Sequence, residues 1–246
     1  MHMVVKERRT KILLSLFLFS DVNLSSVNFN QNLQKVFDVN LNQKTRGSLS
    51  GLLREGMIEK TGENQYKLTQ KGFGALTLSF PFFRFLREEW DGKWRILSYE
   101  IPEKKRDLRD RLRREVAGWG LGPWHRSFWL TPHTIIENLR LLVSQKEEEK
   151  YIQAFEGDHV FGEQKILIEK VWQTQDIDKK YRELFKKWHD ILSSEGDKTD
   201  KLTKVVNLYV EQLRLDPGLP KNLIGETWIG FEAYNIFKEI RSILLS

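Results

Sequence analysis

The chain has 246 residues, 40% hydrophobic and 30% charged, which is the composition of a folded protein with a sizeable core rather than a disordered one. Forty Lys and Arg against 34 Asp and Glu leave a net charge of +6, an excess that permits a nucleic-acid partner without demonstrating one. The absence of cysteine excludes disulfides, cysteine-ligated zinc and thiol catalysis, and it fits a reducing compartment.

The apolar run Ile12 to Phe19 follows Lys6, Arg8, Arg9 and Lys11. It has no small-residue cleavage site and continues into polar Asp21-Val22-Asn23, unlike a signal peptide. A membrane span needs about 20 apolar residues, so this run is too short. Residues 8–20 are therefore expected to form a buried helix of a cytoplasmic protein with no membrane partner. Asn23 to Val39 is asparagine-rich, with Val27, Phe29, Leu33, Val36 and Phe37 as anchors, and should contain a second helix.

In the next stretch, LNQKTRGSLSGLLREGMIEK, helical spacing turns Leu49, Leu52 and Leu53 inward. Gln43, Lys44, Arg46, Ser48 and Ser50 then lie on or near the outer side, and Gly56 falls where a helix is capped. Met57–Lys60 and Gln65–Leu68 flank the turn-rich Thr61-Gly62-Glu63-Asn64 and read as a hairpin, with Thr69 as N-cap of the following helix. Three helices and a hairpin within about seventy residues are the pattern of a winged helix-turn-helix. On that reading Gln43, Lys44, Thr45, Arg46 and Ser50 enter or flank a DNA major groove, while Lys60 and Lys67 approach phosphates. The plainer alternative is a solvated polar helix face.

Leu76 to Trp90 is strongly aromatic and is expected to be a connecting helix packed between two domains. Trp94 to Tyr99 reads as a buried strand stopped at Ile101-Pro102. Glu103 to Trp119 carries Leu108, Leu112, Val116 and Trp119 on one helical face, and Gly118, Gly120, Gly122 and Pro123 break it. Its exposed side pairs Asp107 with Arg111 and Asp110 with Arg114 at i,i+4, which favours a salt-bridged face over a DNA-binding stripe. A second strand is expected over His125 to Leu130, a helix over Thr134 to Lys150, and strands over Tyr151–Phe155 and Gln164–Val171. From Asp176 onward the pattern is helical.

The expected fold class is α+β. It comprises a winged helix-turn-helix over residues 1–75 and a connecting helix over 76–90. A ferredoxin-like α/β sandwich that dimerises follows over 91–173, and a C-terminal helical domain over 174–246. No glycine-rich phosphate loop, nucleophile elbow or paired catalytic carboxylates are present, and the five histidines lack metal-ligand spacing. The sequence thus assigns no enzymatic activity and no cofactor.

YEIPEKKRDLRDRLRR followed by GLGPWHRSFWLTPH resembles the central domain of the PaaX-type transcriptional repressors, named for control of phenylacetate catabolism. That domain is similar in turn to the small ferredoxin-like nuclease of CRISPR spacer acquisition. LDPGLPKNLIGETWIGFEAYNIFKEI resembles the C-terminal signature of the same family through Asp216, Pro217, Leu219, Pro220 and Trp228. The resemblance implies a regulator, usually a repressor, that binds double-stranded DNA as a homodimer on a partly palindromic operator. Repressors of the family are released by an acyl-CoA effector, although no feature of this sequence identifies a CoA pocket. In the related nuclease an aspartate at the end of the first strand binds the metal, contributed by two subunits across a dimer. Glu100 stands at that place here, and no second carboxylate follows to complete an all-protein Mg²⁺ site. A metal-dependent nuclease, or a catalytically silent assembly scaffold, is the alternative that this likeness leaves open.

Overall fold

The computed structural model describes residues 7–20 and 24–246. The polar break Asp21-Val22-Asn23 and Lys6 lie outside the described residues. The first helix, α1 (Glu7–Phe19), is buried from Ile12 to Leu18, as the apolar run requires. A two-residue strand, β1 (Val27–Asn28), precedes α2 (Gln31–Val36), whose N-cap Asn30 accepts the Leu33 N–H at 2.9 Å. Helix α3 (Gln43–Arg54) leads to the hairpin β2 (Ile58–Gly62) and β3 (Gln65–Leu68). β1 adds to β3, so the sheet order is β1-β3-β2. Next comes α4 (Gln70–Ser79), where the Thr69 hydroxyl accepts the Gly72 N–H at 3.1 Å.

The expected connecting helix over 76–90 does not form as one helix. α4 stops at Ser79, and Pro81–Leu86 is a short 3-10 turn. Pro81 has no N–H to donate and keeps Phe80 out of the helical region at φ −134 and ψ 80.

The central segment runs β4 (Lys93–Tyr99), α5 (Arg106–Gly118), β5 (Gly122–His125), β6 (Phe128–Thr131), α6 (Ile136–Val143) and β7 (Ile152–Asp158). All neighbours in this sheet are antiparallel, in the order β5-β6-β4-β7. That is the β-α-β-β-α-β succession expected of a ferredoxin-like sandwich. Two expected strands were assigned differently from what the fold contains. His125 to Leu130 is not one strand but the turn and second arm of a hairpin that begins at Gly122. Gln164 to Val171 is not a strand but α7 (Gln164–Trp172), which lays Ile168, Val171 and Trp172 on Trp94 and Leu130.

The helices α8 (Thr174–Ser193), α9 (Lys198–Leu213), α10 (Lys221–Ile224) and α11 (Ile229–Leu245) complete the chain. The chain divides into two compact units. One holds Phe80–Arg182 with Leu213–Glu232, and the other holds the described residues up to Ser79 with Glu183–Gln212 and Ala233–Ser246. In the second unit Trp188, Tyr209 and Phe237 form an aromatic core, with the Tyr209 and Phe237 rings stacked at 4.7 Å. There Arg241 donates from Nη1 to the carbonyls of Leu18 and Ser20 at 2.7 and 3.1 Å. A cation is thereby placed on the orphan carbonyls at the end of α1. Among the described residues, no helix is long and apolar enough to cross a membrane.

Candidate nucleic-acid interface

Helix α3 is held at both ends. At its start Asn42 Oδ1 accepts the Thr45 N–H at 3.0 Å, a side-chain cap. At its end Gly56 takes φ +68, a conformation that glycine adopts without a Cβ penalty. Leu49 and Leu52 are buried beneath the helix and Leu53 is half-buried. Gln43, Lys44, Arg46 and Ser50 are exposed. Neither Lys44 nor Arg46 enters an ion pair among the described residues.

Other cations of the same unit are engaged within it. Arg8 donates to the Thr45 hydroxyl, Arg9 pairs with Glu55, and Lys11 and Lys35 pair with Asp38 and Asp200. A rigid helix that leaves lysine, arginine, amide and hydroxyl groups to solvent can contact phosphates and base edges at once.

Thr45 departs from the sequence expectation. It is fully buried, its hydroxyl donates to Asn40 O at 2.7 Å, and it accepts from Arg8 Nη1 at 3.0 Å. At i+2 from Gln43 and i−4 from Leu49 it belongs to the inner face of the helix, so it supports α3 instead of reaching outward. The hairpin lysines also part company. Lys60 lies opposite Tyr66, on the face that buries Ile58 and Leu68, whereas Lys67 lies opposite Glu59 on the other face. Lys60 is exposed and Lys67 half-buried, and they do not present one paired basic edge.

Glu100 is exposed just past the end of β4, and its backbone N–H donates to Tyr151 O at 2.9 Å. Among the described residues there is no group of three or more Asp, Glu, His or Cys side chains that could hold a metal ion. On α5 four of the charged side chains are paired, but through other partners than expected. Arg106 meets Asp110, Arg109 meets Glu103, and Arg111 crosses to the buried Glu148.

Sequence reasoning missed a set of buried polar side chains in the central unit. Arg84 is buried in the 3-10 turn, where its Nη1 donates to Trp119 O at 2.8 Å and its Nη2 has no hydrogen-bond partner. His133 is buried with Nδ1 3.0 Å from Glu88 Oε2. Burial and the Arg84 charge push the imidazole down to about 4, against the opposing pull of Glu88. Asp216 is buried as well. Its Oδ2 accepts from Tyr181 Oη at 2.9 Å and Trp228 Nε1 at 3.0 Å, and its Oδ1 accepts the Gly218 N–H at 2.8 Å. Burial raises its carboxyl pKa even so. Gly218 sits at φ +68, with space for a Cβ closed by Pro81 O at 2.1 Å. The Asp-Pro-x-Leu-Pro motif is thus a packing device, with Asp216 as its hub and Gly218 as its point of closest approach.

Residues 87–167 match the PaaX protein central Cas2-like domain, and residues 172–246 match the PaaX-like protein C-terminal domain. Together the two matches cover more than half of the chain. The chain belongs to the PaaX-type family. No curated protein matches it. Among solved structures, this PaaX-type chain is similar to the uncharacterized protein Rv0674 from Mycobacterium tuberculosis at a TM-score of 0.51 and 16% identity. The likeness covers 96% of this chain and 97% of that one and bears on the fold alone. The family membership points to a regulator rather than an enzyme.

Proposed function

We propose that this PaaX-type chain is a sequence-specific DNA-binding regulator of transcription, with repression as its mode of action in the cytoplasm. The observation that carries the reading is the exposed face of α3, where Gln43, Lys44, Arg46 and Ser50 have no internal use, in a chain of a regulator family. The succession helix, strand, helix, helix, hairpin, with β1 added to the hairpin, supports a winged helix-turn-helix in which α3 enters the major groove. Lys60 and Lys67 then serve phosphates on different faces of the wing.

The regulator acts as a homodimer on a partly palindromic operator, because a two-fold protein spaces its two recognition helices about one DNA turn apart. An acyl-CoA-type small molecule is the effector class that the family suggests. The other reading, a nuclease or silent scaffold built on the Cas2-like domain, has that likeness in its favour. Footprinting on the DNA upstream of the protein's own coding sequence tests the proposal. Two protected half-sites about 10 base pairs apart, or a multiple of that, are expected, and uniform protection of any sequence would count against it.

A further inference from the structure

Of the two outer strands in the central sheet, only β7 is suited to extend it. β5 carries Pro123, which has no N–H to give a neighbour. β7 has no proline and is exposed from Gln153 to Asp158, and among the described residues its backbone hydrogen bonds run only to β4. Phe155, at its centre, is 55% exposed. It shares a sheet face with Ile96, directly opposite on β4, and continues the row to Leu130. Just past the strand, Val160 and Phe161 are 90% and 96% exposed. An open, unblunted, partly apolar edge of this kind is what soluble proteins normally cover.

We propose that β7 pairs antiparallel with β7 of a second copy about a two-fold axis at Phe155, joining two four-stranded sheets into one of eight. The charges of the strand choose both the partner and the register. Side chains opposite each other must share a face, so the two-fold can pass only through a residue and its shifts come in whole residues. Centred on Phe155, Glu156 meets Ala154 and Asp158 meets Ile152, so no carboxylates face each other and the two phenylalanine rings adjoin. Moving the centre to Glu156 sets that carboxylate against itself, and moving it to Gly157 sets Glu156 against Asp158. Moving it to Ala154 leaves Phe155 against Gln153. Glu156 is already matched within each copy by Arg95 at 2.7 Å and Lys93 at 3.4 Å, so the join imports no unpaired charge there. The pairing is isologous and closes on itself, giving a dimer and not a filament. It rests on the homodimer in the proposed function and supplies its interface.

The test uses the full-length chain without DNA. Light scattering should give twice the 29.2 kDa chain mass for the wild type and the single-chain mass for Phe155→Asp, with an unchanged circular dichroism spectrum. Because the chain has no cysteine, Phe155→Cys provides an independent arm should the aspartate variant misfold. Mild oxidation should convert Phe155→Cys to a covalent dimer and leave Leu141→Cys, exposed on α6, monomeric. A dimer that survives Phe155→Asp, or equal cross-linking at both cysteines, would overturn this interface and leave a homodimer through another surface. A monomeric wild type, or one that takes an unrelated extended peptide at this edge, would overturn self-pairing. None of these outcomes decides whether the chain binds DNA, which footprinting reads separately.

Discussion

Arg8 Nη1 donates to the Thr45 hydroxyl at 3.0 Å, tying the first turn of the candidate recognition helix to α1. The next residue, Arg9, pairs with Glu55 at the other end of α3. Two adjacent arginines thus brace one helix at both ends, and the residues between are left to face solvent from a fixed frame. A side chain presented to a base edge needs such a frame, since a bidentate contact tolerates little displacement.

Thr45→Val removes a buried hydroxyl and leaves Arg8 and Asn40 O without this partner. Stability should fall by about 1–2 kcal/mol, read as a lower urea midpoint with an unchanged slope.

Arg46→Ala should do the opposite. The side chain is exposed and unpaired in the unit, so the melting temperature should hold. Specific affinity should drop by about 1–3 kcal/mol if the guanidinium reads a guanine. If it meets only a phosphate, the loss will be uniform across sequences and the salt slope will shrink by about one. A folded variant with wild-type affinity would remove Arg46 from the interface.

The same frame explains what was legible in the sequence and what was not. Long amphipathic runs such as α3 and α5 announce their periodicity, and the α4 cap at Thr69 follows from one hydroxyl in the right place. Strand β1 is two residues long and exists only because β3 offers an edge, so no local pattern marks it. The β5–β6 hairpin turns at Arg126, φ +33, and Ser127 without a glycine or asparagine to signal it. In α7 the β-branched Ile166, Ile168 and Val171 suggest a strand, yet the buried set Ile168, Val171 and Trp172 has helical spacing while Ile166 stays exposed. At the candidate site, the outward face of α3 could be read from spacing. The inward turn of Thr45 could not, because a threonine is as ordinary on a polar face as in a buried bond.

His133 makes stability acid-sensitive. Its imidazole titrates near 6.5 when unfolded and is pushed down to about 4 by burial and Arg84 in the folded chain. Between those values the unfolded state binds more protons, so stability falls as pH drops from 6.5 toward 4. The loss is on the order of 2–3 kcal/mol. Thermal melts across that range should show the slope, and His133→Gln should flatten it. Arg84→Met should raise the folded imidazole pKa, measurable by NMR titration, because the guanidinium charge helps to hold it down.

Asp216→Ala removes the shared acceptor of Tyr181 Oη, Gly218 N–H and the half-buried Trp228 Nε1, and should cost about 3 kcal/mol. Gly218→Ala should cost at least about as much, since a Cβ would meet Pro81 O at 2.1 Å from a positive-φ backbone. Denaturant unfolding of both variants checks the assignment of this motif to packing. Equal stability of Asp216→Ala and wild type would refute it.

The central claim is DNA recognition. It is tested most directly by fluorescence anisotropy of the purified full-length chain on its own upstream DNA and on a scrambled duplex. Both are titrated with salt, with and without Mg²⁺. The account predicts tighter binding to the upstream DNA that weakens steeply with salt and leaves the DNA intact in Mg²⁺. Equal binding to both duplexes, no binding, or Mg²⁺-dependent cleavage lost on Glu100→Ala would contradict it.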